Sequence, residues 1–189
     1  MPGRLIYIMG PSGAGKDTVM RGVVQRLGTR ALIAHRVVTR GAHSEDAATI
    51  LVGRDEFSWM EASGLFAMAW HANDLDYGVL RHIDKALLHG RDVFISGSRA
   101  YLPEAVRRYP RLIPVLVTAE AALLRHRLVA RGREDQDQIE ARLARNERFL
   151  DLEDAQRERL LRIDNSGAPG LAAQILHGLL QAAGKREAA

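Results

Sequence analysis

Residues 5–18 read LIYIMGPSGAGKDT, and this stretch decides the fold. The apolar run Leu5–Met9 predicts a short buried strand, and residues 17–27 predict a helix. Between them lies Gly10-Pro11-Ser12-Gly13-Ala14-Gly15-Lys16, which matches G-x-x-x-x-G-K in the strand-to-helix context that gives this pattern its meaning. Glycine allows backbone angles at which successive N–H groups point at one anion, and the helix start presents further N–H groups to it. The stretch therefore predicts a loop that binds the phosphates of ATP.

Lys16, Asp17 and Thr18 are candidates for neutralising the phosphate charge at this loop. We expect the Lys16 ammonium to bridge the β- and γ-phosphates and to neutralise charge as the γ-group moves. The next residue in this motif is usually a hydroxyl that ligates Mg²⁺, whereas here Asp17 comes next and Thr18 follows. Asp17 could hold the ion directly or through water, or could simply favour the helix start near the positive end of its dipole. We expect ATP with Mg²⁺ as the cofactor, with Asp17 and Thr18 as candidate metal ligands.

Short apolar runs alternate with helical patterns along the rest of the chain. Further buried strands are predicted at residues 32–38, 92–96, 112–117 and 160–164. Amphipathic helices are predicted at residues 120–130, 139–149 and 171–183. Such alternation is typical of α/β proteins in which helices cover both faces of a parallel sheet, here a sheet of five strands.

Two regions interrupt the alternation. Residues 39–79 hold alternating apolar stretches between polar loops, which predicts a small β-rich insert that binds the acceptor. Residues from about 130 to 138 predict an exposed flap, or lid, between two helices. Inserts on a parallel sheet lie at the carboxyl ends of strands, where ligands bind. We expect one domain over residues 1–189, with its core at residues 1–38 and 80–183.

The composition limits the partners. With no cysteine there can be no disulfide framework, thiolate nucleophile or Cys-type zinc site. The net charge is only +4 and the basic residues are dispersed, which favours small anionic molecules over nucleic acid. No apolar stretch approaches the ~20 residues that span a bilayer, and Leu5–Met9 runs straight into the glycine loop, which leaves no room for a signal peptide. We expect a cytoplasmic enzyme without a membrane partner, and the oligomeric state stays open, a homodimer included.

Several motifs occur in the order found in guanylate kinases. They are residues 10–18, Thr39-Arg40, the flap arginines Arg131 and Arg133, and Arg142 on the next helix. Asp164-Asn165 resembles the loop that borders the adenine in that family. The resemblance runs from residue 5 to about residue 180 and implies a P-loop NTPase fold of the nucleoside monophosphate kinase type.

The acceptor region departs from the guanylate kinases. After Thr39-Arg40 that family continues with a second arginine and a Gly-Glu pair that help to grip GMP, whereas this chain runs Gly41-Ala42-His43-Ser44-Glu45-Asp46. The acidic strand end expected near Ile95 is replaced by Ser96-Gly97-Ser98-Arg99-Ala100. Both departures argue against recognition of guanine.

The same region resembles the ribose 1,5-bisphosphate phosphokinases, guanylate-kinase relatives of the phosphonate-degradation pathway. The matching stretches are Ala34-His35-Arg36 with Thr39-Arg40, Phe66-Ala67, Trp70-His71-Ala72-Asn73, Tyr77-Gly78-Val79, Gly97-Ser98-Arg99-Ala100, Arg131-Gly132-Arg133-Glu134 and Ala141-Arg142-Leu143-Ala144-Arg145. The resemblance implies ATP-dependent phosphorylation of ribose 1,5-bisphosphate to 5-phospho-α-D-ribose 1-diphosphate, with release of ADP. It leads us to expect glycine and an aromatic residue where Asp74 and Asp76 stand. Two carboxylates there would not help an anionic substrate unless they point away from it or contact sugar hydroxyls.

In this reaction class the acceptor is a phosphate that is already ionised, so positioning and charge neutralisation replace a general base. Arginine suits both tasks because its planar fork offers two donors and stays protonated. We therefore expect Lys16, Arg133 and Arg142 to be catalytic, and Arg131 and Asn165 to bind ATP together with residues 10–18. Six residues are candidates for binding the sugar phosphate: Arg40, Asn73, Tyr77, Ser98, Arg99 and Arg145.

Alternatives remain for the residues and for the function. The flap arginines could be solvated surface residues, Arg40 could cap a strand end, and Arg99 could start a helix. A guanylate kinase, or another nucleoside monophosphate kinase, would be saturated by GMP and not by a sugar bisphosphate. A non-catalytic nucleotide-binding module would form no ADP with any acceptor, and the presence of Lys16 and of the flap arginines argues against it.

Overall fold

The structure, a computed structural model, describes residues 2–39, 48–72, 74–132, 135–147 and 159–187. Its strands are β1 (Leu5–Met9), β2 (Ala31–Ile33), β3 (Arg36–Thr39), β4 (Thr49–Val52), β5 (Phe66–Ala72), β6 (Leu75–Leu80), β7 (Asp92–Ser96), β8 (Ile113–Thr118) and β9 (Leu161–Asp164). Its helices are α1 (Lys16–Leu27), α2 (Arg54–Ala62), α3 (His82–Leu88), α4 (Leu102–Arg108), α5 (Ala121–Arg131), α6 (Gln136–Glu147) and α7 (Leu171–Glu187). Within the described ranges, no helix combines the length and the apolar character that crossing a membrane requires.

The larger sheet has five strands in the order β2-β7-β1-β8-β9. Strand β2 pairs with β7, and β8 pairs with β9, each in parallel. Every residue of β1 and of β7 is buried, as expected for strands that are covered on both faces. The predicted α/β class with a five-stranded parallel sheet is therefore confirmed.

The chain divides into two compact units. Unit 1 comprises Met1–Ile6 and Thr29–Leu112, and it contains strands β2 to β7 and helices α2 to α4. Unit 2 comprises Tyr7–Gly28 and Ile113–Ala189, and it contains α1, β8, β9 and helices α5 to α7. In unit 2, α1 packs against α7. The predicted single domain with a core, an insert and a lid stays a prediction.

Unit 1 also contains a second, four-stranded sheet in the order β4-β3-β6-β5. The prediction of one strand over residues 32–38 is wrong, because this run supplies strands to both sheets. The Ala34 N–H donates to the Phe94 carbonyl next to β2, and the Arg36 N–H donates to the Ala48 carbonyl next to β4. Both strands contain buried apolar residues, and the change of sheet falls at the polar pair His35-Arg36, which the prediction of one strand passed over.

The small sheet has two faces with different roles. Successive strand residues point to opposite faces and directly paired residues share one, so the strand registers assign each residue to a face. What we call the Tyr77 face carries Arg36, Val38, Met68, Trp70, Tyr77 and Val79. What we call the α2 face carries Val37, Thr39, Ala69, His71, Asp76 and Leu80. On the α2 face, Phe57 of α2 packs with Val37 and Phe66 in an apolar core, and the Phe57 and Phe66 ring centroids are 4.8 Å apart.

Candidate active site

The glycine-rich loop between β1 and α1 needs glycine for its backbone path. Gly10, Gly13 and Gly15 have φ values of 154°, 87° and 81°, a region that favours glycine. A Cβ at Gly10 would collide with the carbonyl oxygen of Val117 in β8, a backbone atom that cannot rotate away. The loop path and this close approach therefore both exclude a side chain at Gly10.

The Lys16 ammonium lies against this loop. Its Nζ donates to the carbonyl oxygens of Gly10 and Pro11, each at 2.9 Å. No side chain caps the start of α1 at Gly15, an arrangement that leaves the helix N–H groups for an anion. The pocket beside Lys16 is lined by Ser12, Gly13, Gly15, Lys16, Asp17, Thr18 and Arg21. A cation and a helix start thus meet in one polar pocket, which is the chemistry that binds phosphate.

Asp17 and Thr18 place a carboxylate and a hydroxyl on the wall of the same pocket. Magnesium prefers oxygen ligands, and in kinase sites it is usually held by one or two protein groups together with substrate phosphates. Two oxygen donors beside a phosphate pocket therefore fit an ion that is shared with a nucleotide. In the part of the chain that the structure describes, no cluster of three His, Cys, Asp or Glu could hold a metal by itself.

Two side chains of unit 2 brace the loop from outside it. The Asn165 Nδ2 donates to the Ala14 carbonyl at 2.8 Å. Arg127 on α5 donates to the carbonyls of Gly13 at 3.2 Å and of Asn165 at 3.0 Å. Asn165 was predicted to bind ATP beside the adenine, and its contact with the loop was not foreseen. Arg127 was missed, although its position four residues before Arg131 puts it on the same helix face.

Replacing Asn165 by aspartate should raise the dissociation constant for ATP by about tenfold or more. A carboxylate cannot donate to the Ala14 carbonyl, and its negative charge would oppose the binding of phosphate. Calorimetric titration with ATP measures the effect. Asn165→Ala is the matched control, since it removes the donor without adding charge, and it should lose less affinity than Asn165→Asp. Unchanged affinity in Asn165→Asp would contradict a role for the amide in shaping the loop.

In unit 1, the loop after β7 is attached to the Tyr77 face at both ends. At its start, the buried Ser96 has its Oγ 3.4 Å from Nη1 of Arg36. At its end, the ring of Tyr101 stacks on Trp70 with centroids 5.4 Å apart. Residues 97–100 between these contacts are therefore held beside the same face of the small sheet.

Three predicted substrate-binding residues belong to this part of unit 1. Ser98 and Arg99 belong to the attached loop, and the Tyr77 ring stacks on Trp70 at a centroid distance of 5.5 Å with only 6° between the planes. All three are half-buried. Arg36 is among the predicted residues only as part of the motif Ala34-His35-Arg36. The alternation of side chains along β3 puts it on the same face as Tyr77, and that alternation was the signal for its position.

The two unexpected aspartates are accounted for by the backbone and by the sheet register. Asp76 lies on the α2 face, opposite to Tyr77, and its carboxylate is bonded to His71 Nδ1 at 2.8 Å. Its other oxygen accepts from Thr39 Oγ1 at 3.3 Å, and its N–H donates to the same hydroxyl at 2.7 Å. Asp74 has φ 59°, the left-handed conformation for which glycine is the usual choice. The Asp76 carboxylate therefore points away from the predicted substrate residues.

The remaining predicted residues are not tested by the structure. Arg40, Asn73 and Arg133 lie outside the described residues. Arg131 is on α5, and Arg142 and Arg145 are on α6, but their side chains are outside what the structure describes. Of the predicted lid, Gly132 ends α5 with φ 60°, and the Asp135 carboxylate accepts from the Gln138 N–H at the start of α6. The lid and the roles of these arginines stay predictions.

The fold resembles that of a solved structure, the guanylate kinase from Anaplasma phagocytophilum. The TM-score is 0.68 with 15% identity, and the match covers 96% of this chain and 86% of that one. The fold and the loop before α1 thus define a guanylate-kinase-like P-loop protein.

Sequence comparison narrows this class to a family. No family model matches the chain. The chain is 48% identical over 183 residues to "Ribose 1,5-bisphosphate phosphokinase PhnN" of Azotobacter vinelandii, which covers 96% of this chain and 97% of that protein. It is also 48% identical to the protein of the same name from Pseudomonas fluorescens, over 88% of this chain and 89% of that one. The chain therefore belongs to the ribose 1,5-bisphosphate phosphokinase family and is a kinase, and the predicted resemblance is confirmed.

Proposed function

We propose that the chain transfers the γ-phosphoryl group of ATP to the C1 phosphate of ribose 1,5-bisphosphate. The products are ADP and 5-phospho-α-D-ribose 1-diphosphate. The proposal rests on the 48% identity, over 96% of the chain, to a relative that is named for this substrate. An oxygen of the C1 phosphate forms the new bond to the γ-phosphorus, and the bond from that phosphorus to the β–γ bridging oxygen breaks. That acceptor oxygen is already ionised, so no side chain has to remove a proton.

The donor half of the reaction belongs to the pocket beside Lys16. The Lys16 ammonium faces the glycine-rich loop and supplies a positive charge for the β- and γ-phosphates. Asp17 and Thr18 would hold Mg²⁺, which when bound neutralises charge on the same phosphates. Asn165 and Arg127 keep the loop carbonyls in place, so the N–H groups between them stay directed at the nucleotide. The flap residues Arg131 and Arg133, with Arg142, are the proposed cations for the moving phosphoryl group.

The acceptor half belongs to the Tyr77 face and to the loop after β7. Tyr77, Ser98 and Arg99 present hydroxyls and a guanidinium there, groups that bind sugar hydroxyls and phosphate. Asp76 does not oppose an anion on this face because its carboxylate is bonded to His71 on the other one. We propose Arg40, Asn73 and Arg145 as further contacts from the sequence motifs. Because the reaction consumes ATP, we propose that the enzyme acts in the cytoplasm.

Replacing Arg99 by alanine should raise the KM for ribose 1,5-bisphosphate by roughly 10- to 100-fold, because a charge-assisted contact to phosphate is lost. The dissociation constant for ATP should change by less than about threefold, since the nucleotide pocket is formed by other residues. Steady-state kinetics and ATP titration measure the two effects. Arg107→Ala, at an exposed arginine of α4, is the control and should leave both values unchanged. An equal loss for acceptor and ATP would refute the role of Arg99.

The product tests the proposed reaction. Phosphorus NMR of a mixture of enzyme, ATP, Mg²⁺ and ribose 1,5-bisphosphate should show ADP together with two coupled signals from a diphosphate on C1. A new phosphate monoester in place of these signals would mean that a sugar hydroxyl is the acceptor, and it would overturn the proposal.

A further inference from the structure

Arg21 of α1 lines the phosphate pocket together with Asp17 and Thr18. Along the helix Arg21 comes four residues after Asp17 and three after Thr18, so the three side chains share one helix face. The candidate magnesium ligands therefore have a guanidinium one turn further along the same wall of the pocket. No role has yet been given to this guanidinium.

The Arg21 guanidinium is available to a ligand of the pocket. Arg21 is exposed, and it makes no hydrogen bond or ion pair with any residue that the structure describes. Arg26, further along α1, differs in both respects, since its Nη1 donates to the Gly22 carbonyl at 2.8 Å and it does not line the pocket. A guanidinium carries five N–H donors, and those of Arg21 are not taken up by the described part of the protein.

The charges around the pocket give a reason for a second cation. Of the side chains that line it, those of Lys16 and Arg21 are positive and that of Asp17 is negative. Without Arg21 the charges of Lys16 and Asp17 would cancel, and only the start of α1, equivalent to about half a positive charge, would attract phosphate. In this motif the residue after the lysine is usually a neutral hydroxyl, so the negative charge comes from the aspartate of this sequence. Arg21 restores a net positive charge to the pocket.

We propose that Arg21 is a further phosphate-binding residue of the nucleotide pocket and that it offsets the negative charge of Asp17. This inference rests on the proposed role of the pocket as the ATP site and deepens it. The planar guanidinium can donate two N–H groups to phosphate oxygens, and it stays protonated. The Lys16 ammonium lies at the loop carbonyls, whereas Arg21 belongs to the second turn of α1, so the two cations occupy different parts of the pocket.

Calorimetric titration with ATP in EDTA, at low ionic strength, tests this inference without the metal. In Arg21→Met the dissociation constant for ATP should rise about tenfold, because a charge-assisted contact is lost. Arg21→Lys should stay within about threefold of the parent, because it keeps the charge. Arg26→Met is the matched control, since it removes the same charge from the same helix outside the pocket, and it should bind ATP as the parent does. Circular dichroism checks folding, and Arg21→Gln replaces Arg21→Met if that variant does not fold.

A change at Asp17 tests the offset of charge. Asp17→Asn should bind metal-free ATP about threefold more tightly or better, because a negative charge is removed from the pocket. The double variant of Arg21→Met with Asp17→Asn has the same net pocket charge as the parent, and its affinity should return to within about threefold of the parental value. A merely structural role of Arg21 would not be compensated by a change at Asp17.

Three results would overturn the inference: unchanged affinity in Arg21→Met, an equal loss in Arg26→Met, or no recovery in the double variant. The second of these would attribute the loss to the overall charge of the protein. The titrations contain no acceptor, so they are separate from the test of the proposed reaction. Failure of the parent to phosphorylate ribose 1,5-bisphosphate would refute the proposed function while the role of Arg21 in ATP binding could still hold. Failure of the parent to bind ATP would refute both.

Discussion

Replacing Lys16 by alanine should lower kcat with ATP and ribose 1,5-bisphosphate by about a thousandfold, while the protein stays folded. A preorganised charge at the site of phosphoryl transfer typically contributes a factor of this size. The Lys16 Nζ already lies at the loop, 2.9 Å from the carbonyls of Gly10 and Pro11, so little reorganisation is needed for it to meet a phosphate. Alanine keeps the helix start and removes only the charge and its long side chain.

A matched lysine variant makes this result interpretable. Lys85 is an exposed lysine of α3 in unit 1, and Lys85→Ala should keep the parental kcat. Circular dichroism of both variants shows whether the helices persist. If Lys16→Ala stays within about tenfold of the parent in kcat, Lys16 is not the phosphate-binding lysine, because loss of such a contact should cost more.

Replacing Gly10 by alanine should lower the free energy of unfolding by about 3 kcal/mol or more. Two costs add here. The backbone at Gly10 has φ 154°, which a residue with a side chain rarely adopts, and the new methyl group would collide with the carbonyl oxygen of Val117. Because that oxygen belongs to β8 of the larger sheet, the collision could be avoided only by moving β8 or the loop. Urea unfolding followed by tryptophan fluorescence measures the change.

Gly53→Ala is the control for this experiment. Gly53 precedes α2 with φ −69°, and no atom lies within 4 Å of the position that its Cβ would take. It should therefore change the free energy of unfolding by less than about 1 kcal/mol. Similar losses in the two variants would show that the approach of Val117 to Gly10 does not restrict that position.

The strand, the glycine loop and the helix at the start of the chain could be predicted because the signals are local. An apolar run, glycines at fixed spacing and a lysine describe the loop without any distant residue. The braces of that loop are different, since Asn165 and Arg127 are far from Ala14 and Gly13 in the sequence. No periodicity along the chain shows which carbonyl a distant amide or guanidinium will contact.

The small sheet shows a second limit of prediction from the sequence. Residues 54–62 are mostly polar and bury only Phe57, so within a β-rich region they do not stand out as a helix. Residues 32–38 were predicted as one strand because apolar side chains on both sides of His35-Arg36 are typical of buried strands, and the pair alone does not show that the chain enters a second sheet. The direction of Asp76 depends on the register between β5 and β6, which places it opposite His71. Register follows from pairing, and pairing involves residues that are separated in the sequence.

The ratio of kcat/KM for ribose 1,5-bisphosphate and for GMP, measured by coupled ADP release with ATP and Mg²⁺, tests the central claim most directly. The proposed function predicts a preference of about a hundredfold or more for the sugar bisphosphate, because a site built for two phosphates leaves a charged group without its partner when GMP binds. Equal use of both acceptors, or a preference for GMP, would contradict it and would make the chain a nucleoside monophosphate kinase.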